Sequence, residues 1–325
     1  MFAELQIATA FSFLHGASHA EELAQTAAGL GLSAIGIADR NTLAGIVRAH
    51  VAAKPAGIRL IPAARLVFRD GTPDVTCYPT DRAAWGRLSR LLSVGKNRAG
   101  KGDCALDLAD LLEYGEGQAI LIHPGPVESL PSLSAYFHNR AWLAATRRYA
   151  ADDADRLRAL SAHRLPLLAT NDVLYHVPQR RRLQDVMRCI RLGTTLEAAG
   201  LALAANGERH LKSPAEMSRL FRDYPEAIAA SADLASLCHF NLDELSYEYP
   251  DEPIPAGSTP DAHLAKLAWE GAARRYPDGI PKRVRATVTR ELVMIEQLAY
   301  APYFLTVHDI VLYARGRGIL CQGRG

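Results

Sequence analysis

Residues 33–61 read SAIGIADRNTLAGIVRAHVAAKPAGIRLI. Ser33 to Ala38 is an apolar run of strand length closed by Asp39, Thr42 to Ala53 reads as a helix, and Ile58 to Ile61 is a second apolar run. Strand, helix and strand joined by short connections form a unit whose strands lie parallel and whose helix packs outside them. The stretch therefore points to an α/β fold.

The same rhythm extends in both directions. Upstream, residues 4–9 alternate loosely as a first strand, and Ser18-His19-Ala20-Glu21 has the form of a capping box opening a helix that ends near Gly29 and Gly31. Downstream, Val75–Tyr78, Ala119–Ile122 and Leu165–Thr170 read as strands, with helices at Asp81–Ser93 and from about Arg140 to His163. Asp39, Asp74, His123 and Asp172 each stand at one end of an apolar strand, where barrel-like and open α/β folds place their sites. For each of the three aspartates the plainer reading is a cap on the following helix.

From Gln179 the pattern is helical, with Ser213-Pro214-Ala215-Glu216 as a further capping box and residues 220–238 continuing as an amphipathic helix. Tyr249 to Pro260 holds four prolines, so a linker at 249–260 separates a first domain, 1–248, from a second, 261–325. The second contains helices from Pro260 and from Pro281 to Ala299, then YAPYFLTVHDIVLYARGRGILCQGRG over 300–325. Tyr303, Phe304, Val307, Ile310, Val311 and Ala314 recur at helical spacing, so this helix is expected to meet a core. Ile319 to Cys321 has the form of a short buried strand delivering Gly323, Arg324 and Gly325, where backbone and guanidinium could approach a phosphate.

Composition narrows the function classes. A net charge of +2 with 22% charged residues means that any nucleic-acid surface is a local patch. Five scattered cysteines without a C-x-x-C pair fit reduced thiols in a cytoplasmic protein, not a disulfide framework or zinc ribbon. The N-terminus lacks the form of a signal peptide, and no segment approaches the roughly 20 apolar residues of a membrane span. Nucleophile-elbow, Walker, H-E-x-x-H and dinucleotide motifs are absent.

YFLTVHDIV, ARGRGI and LCQGRG, in this order, resemble the start of the palm in bacterial C-family DNA polymerases of the α-subunit type, most closely the error-prone branch used in damage-induced synthesis. ELQIATAFSFLHGASHAEEL, GLSAIGIADRNTLAGIVRAH, LATNDVLYH and the ERHLKSPAEMSRLFRDYPEA run resemble the polymerase-and-histidinol-phosphatase (PHP) domain of the same polymerases. The resemblance implies a distorted (β/α) barrel followed by an incomplete, mainly helical palm segment. It implies DNA repair by translesion synthesis on primer-template DNA with deoxynucleoside triphosphates. Gly323, Arg324 and Gly325 would bind the triphosphate. The catalytic carboxylates that hold Mg²⁺ would follow that loop, so the 325 residues alone are expected to be inactive. Asp309 lies mid-helix and is read as a packing or surface residue. A sliding clamp and a Y-family-like accessory protein are the implied partners, although no clamp motif is visible.

Active PHP domains hold several metal ions with His, Asp, Glu and Cys from strand ends. Matched to that pattern, the opening His-x-His is Gln6 and Ala8, with His15 as the next ligand position. Asp39 survives but its neighbouring histidine is Arg40; a glutamate position is Arg65; Asp74 falls near a histidine position; Asp172 is kept while Leu174 replaces a histidine. Guanidinium groups where divalent cations should bind imply a metal-free scaffold, with Arg40 and Arg65 pairing with Asp39, Asp74 or Asp172. The weak remnant metal candidates are His15, Asp39, Asp74, His123 and Asp172. Alternative readings are a metal-dependent phosphoesterase or 3′–5′ exonuclease, and a non-catalytic DNA- or partner-binding module. Candidate DNA contacts are Lys282, Arg283, Arg285, Arg315 and Arg317; residues 87–101 and Arg180 to Arg182 are further basic stretches.

Overall fold

In the computed structural model, which describes residues 2–125, 130–246 and 254–322, seven strands lie side by side in chain order. They are β1 (Glu4–Ile7), β2 (Ala34–Arg40), β3 (Arg59–Leu66), β4 (Val75–Pro79), β5 (Gln118–Ile122), β6 (Ala141–Ala145) and β7 (Leu167–Ala169). The helices of this unit, 1–245, are α1 (Ala20–Gly29), α2 (Ile46–Ala56), α3 (Arg82–Arg98), α4 (Leu108–Tyr114), α5 (Leu130–Tyr136), α6 (Asp153–Ser161), α7 (Arg181–Leu192), α8 (Leu196–Ala199), α9 (Pro214–Leu220) and α10 (Pro225–Leu237). The first three strands are parallel, as the strand-helix-strand reading requires.

Both faces of the sheet are apolar, and alternate residues along each strand supply them. Ile35, Ile37, Ile120, Ile122 and Leu143 point to one core with α1, α2 and α3. Their neighbours Ala34, Ala38, Ala63, Ala119 and Ala144 point to the other, where small side chains leave room for Ala230, Leu234 and Ala235 of α10. The sheet curls until its ends meet. Ile7 bridges Val173 just beyond β7, with Ala8 N–H donating to Val173 O at 2.9 Å and Val173 N–H to Gln6 O at 2.8 Å. Beside this bridge the buried Glu4 carboxylate accepts from Asn171 N–H at 2.8 Å and from the Thr170 hydroxyl. A side chain thus replaces backbone pairing where β1 and β7 part.

Several expectations are corrected. β4 runs antiparallel to β3 and β5 because only residues 67–74 connect it to β3, too few for a crossover helix. The helix expected from Arg140 to His163 is strand β6, a loop and α6; pairing with β5 and β7 overrides the helix propensity of an alanine-rich segment. The cap of α1 is His19 with Glu22, its N–H donating to the Glu22 carboxylate at 2.9 Å, while the Ser18 hydroxyl bonds to His176. The run 220–238 is broken at residues 221–224, before Pro225 opens α10.

The second unit, 246–325, contains α11 (Pro260–Arg275), α12 (Lys282–Gln297) and α13 (Ala301–Gly316), with α11 packed on the other two. Here the expected core contact of α13 is made only in part. Ala301 and Leu305 are buried, whereas Phe304, Val307 and Ile310 are exposed, since three helices enclose too little to cover every face. Ile319 and Leu320 are exposed and form no strand; Ile319 N–H closes the helix end on Ala314 O at 2.9 Å. Much of the proposed linker and the whole of Gly323-Arg324-Gly325 lie outside the described residues.

Between its two paired positions β1 advances from Glu4 to Ile7 while β2 advances only from Ile35 to Ile37, and this bulge presses Leu5 onto Gly36. A Cβ on Gly36 would fall 2.4 Å from Leu5 O and 2.8 Å from Leu5 Cα. Gly36→Ala is therefore expected to destabilise the first unit by about 2–3 kcal/mol in denaturant unfolding. Burial pushes the Glu4 carboxyl up to about 7, against hydrogen bonds from Thr170 and Asn171. A raised acid binds its proton more tightly when folded, so its contribution is complete below the unfolded value and is lost as pH rises through the folded one. Relative to Glu4→Gln, the parent is expected to lose about 1 kcal/mol between about pH 6 and about pH 8, measured by denaturant unfolding at each pH.

Candidate functional site

One cleft of about 530 Å³ opens at the end of the curled sheet where the parallel strands finish. Gln6 lies on β1, Arg40 ends β2, Arg65 is near the end of β3, and His123, Thr146 and Asp172 follow β5, β6 and β7. The antiparallel direction of β4 brings the residue before it, Asp74, to this same end. α7 adds Arg188 and Arg191, and the segment before α9 adds Arg209. Seven arginines and three aspartates are among the lining residues.

Asp172 is the centre of the network. Its backbone φ of 49° is left-handed, a conformation aspartate tolerates better than most residues. Its N–H donates to Thr170 Oγ1 at 3.0 Å, and its carboxylate faces three guanidiniums: Arg209 at 2.5 Å, Arg148 at 2.9 Å and Arg65 at 3.2 Å. Burial alone would raise this carboxyl; Arg209, Arg65 and Arg148 instead hold it well below the usual carboxylate range. Arg40 and Arg65 occupy paired positions on neighbouring strands, an unfavourable juxtaposition relieved by Asp74, which lies 2.8 Å from Arg65 and 3.5 Å from Arg40.

The two histidines of the cleft are neutral. Burial, then Arg191 and Arg40, lowers His15 to about 4. Arg191 donates to His15 Nδ1, which places the ring proton on Nε2. Burial, then Arg65, lowers His123 to about 3. Thr76 donates its hydroxyl proton to Gln6 Oε1 and so accepts from His123 Nε2 at 2.9 Å.

Residues 4–165 match the PHP domain family, and residues 262–325 match the bacterial DNA polymerase III alpha NTPase domain family. The chain carries a PHP domain. Along its whole length it is 51% identical to the error-prone DNA polymerase of Caulobacter vibrioides and 53% identical to that of Brucella abortus, covering 31% and 32% of those proteins. The chain thus spans about a third of the length of the curated relatives it matches. A solved amidohydrolase from Chromobacterium violaceum, 13% identical, covers 52% of this chain and 85% of its own at a TM-score of 0.36, too remote to bear on the site.

A metal cluster of the kind the PHP resemblance implies does not fit these residues. Gln6, Ala8 and Leu174 stand where the resemblance calls for ligands, and Asp172 is already engaged by three cations. A divalent ion a few ångströms from any of these guanidiniums would be repelled by several kcal/mol at an effective dielectric near ~20. Among the described residues no three His, Cys, Asp or Glu side chains are grouped as a metal site.

Of the remnant candidates in the PHP domain, His15, His123 and Asp172 line the cleft, and Asp74 supports it from behind Arg65. Asp39 is not brought into it: its carboxylate is buried, accepting from Thr9 N–H at 2.7 Å, the Thr9 hydroxyl at 2.8 Å and the Ser12 hydroxyl at 2.7 Å. Arg148, Arg156, Arg188, Arg191 and Arg209 escaped the sequence reading. Arg148 follows a strand that reads as helix, and the i, i+3 spacing of Arg188 and Arg191 on α7 was the available signal for the latter pair.

In the second unit Lys282, Arg283 and Arg285 are exposed at the start of α12, with Arg285 over the Trp269 ring at 5.3 Å. Arg315 and Arg317 are exposed at the end of α13, with Arg317 over Tyr313 at 5.1 Å. Asp309 is exposed and pairs with His308 at 3.1 Å. Arg98 and Arg180, from the other basic stretches, pair with Asp110 and Glu22.

Removing the Asp172 carboxylate leaves three mutually repelling cations. Asp172→Ala is expected to cost about 3–5 kcal/mol in denaturant unfolding, far more than Asp309→Ala on the exposed helix.

Proposed function

We propose that the chain works as part of an error-prone DNA polymerase, in which the PHP domain is a metal-free scaffold and the second unit belongs to the nucleotide-handling region. Identity of about half over the whole chain to proteins of that name is the observation that carries this reading. Extension of a primer on template DNA with deoxynucleoside triphosphates would be the reaction of the complete polymerase. Its Mg²⁺ ions would be held by carboxylates that the resemblance places after the nucleotide loop, stabilising the attacking and leaving oxygens.

Within this chain, Gly323, Arg324 and Gly325 are proposed to contact the triphosphate, and Lys282, Arg283, Arg285, Arg315 and Arg317 the DNA backbone. Exposure of these five cations at helix ends supports the assignment. Damage-induced repair synthesis, a clamp and a Y-family-like accessory partner, and a cytoplasmic location complete the proposal. Among the described residues no helix is long and apolar enough to cross a membrane.

The alternative of a metal-dependent phosphoesterase or 3′–5′ exonuclease meets the arginine network at the position its metals would need. The chain purified without added metal is expected to hold no stoichiometric zinc or manganese by plasma emission. It is expected to release no phosphate or nucleotide in Mn²⁺ or Zn²⁺, and not to extend a primed template by itself. Bound metal together with nuclease activity would overturn the scaffold assignment, and primer extension would place the catalytic carboxylates within these residues.

A further inference from the structure

The carboxylates of the cleft do not neutralise all of its cations. Arg65, Arg148 and Arg209 share Asp172, and Arg156 is held by Asp153 at 2.6 Å. Arg40 reaches only Asp74, which Arg65 already holds more closely. Arg191 donates to neutral His15 and to Leu14 O at 3.3 Å, neither of them an anion. Arg188 has no ion pair or hydrogen-bond partner among the described residues, and its Nε is buried, as is the unpartnered Nε of Arg148. Both histidines are neutral, so they neither add to the excess charge nor cancel it.

The setting of α7 supports the same conclusion. The helix turns Arg188 and Arg191 toward the cleft while Leu183, Val186 and Ile190 remain exposed. Hydrophobic burial would favour the opposite rotation. Arg191 is pushed down by burial and then by the neighbouring Arg188 and Arg40, the mark of like charges held close together. Planar guanidiniums converging on a concave site match a tetrahedral oxyanion, which several can grip at once. A volume of about 530 Å³ lies in the range of small-molecule sites, roughly 300–1,000 Å³.

We propose that this cleft binds a phosphate-class anion without a metal ion, with Arg188, Arg191 and Arg40 as the gripping cations. The guanidiniums bind the phosphoryl oxygens directly, so chelators leave binding intact. No bond is made or broken. The inference does not depend on the polymerase assignment, because it rests only on the residues of the cleft.

The test is isothermal titration calorimetry of the whole chain with orthophosphate, pyrophosphate and deoxyadenosine monophosphate, in EDTA at constant ionic strength. Saturable binding with a dissociation constant of about 1 mM or tighter is expected for at least one of them, weakened at least about tenfold in the Arg188→Gln/Arg191→Gln variant. The tightest of the three identifies the source as a free phosphate, a linked pair or a nucleotide. Circular dichroism and thermal unfolding without anion check the variant. Should it fail to fold, Arg188→Gln alone, which breaks no ion pair or hydrogen bond among the described residues, is expected to weaken binding severalfold. Absence of saturation with all three anions, or equal affinity in the folded variant, would overturn the proposal.

Discussion

A single carboxylate shared by three guanidiniums fastens the open end of the curled sheet. Arg65 comes from β3, Arg148 from the loop after β6 and Arg209 from the segment preceding α9, and Asp172 holds all three. Two buried charges in isolation rarely stabilise a fold, because desolvation offsets their attraction. Here one anion relieves repulsion among three cations that the strand ends already bring together, so its worth exceeds that of any one pair. The left-handed backbone at Asp172 is part of the same device: it turns the carboxylate toward the cleft immediately after Asn171 and Thr170 have bonded to Glu4.

On the metal-free reading proposed above, the same arrangement also accounts for the polar groups gathered at the strand ends. Strand ends concentrate polar side chains at one end of a barrel, and something must satisfy them there. Arginines can do so in place of metal ions, since each brings a fixed charge and several donors that reach neighbouring carboxylates. On that reading the cleft holds charge rather than a metal-polarised water, which suits a structural or binding role.

Much of the fold was legible because periodicity reports burial directly. The run AIGIADR had to be a strand, and its closing Asp39 and Arg40 had to emerge at an end of the sheet. Alanine-rich AWLAA was not legible, since the same residues suit a helix and only pairing with β5 and β7 selects the strand. On α13 the apolar spacing correctly gives a helix, but spacing names a face without supplying what covers it.

At the site, the sequence by itself determined which groups were missing. Gln6, Ala8, Arg40, Arg65 and Leu174 stand where the PHP resemblance calls for ligands, and side-chain chemistry alone makes them poor ones. Only the tertiary structure decided which groups gather around those positions. Asp39 was diverted to Thr9 and Ser12, while Arg148, Arg188, Arg191 and Arg209 converged from three separate segments. Identity and spacing are properties of the local chain, whereas a charge balance depends on distances between segments far apart in sequence, which only the folded sheet sets.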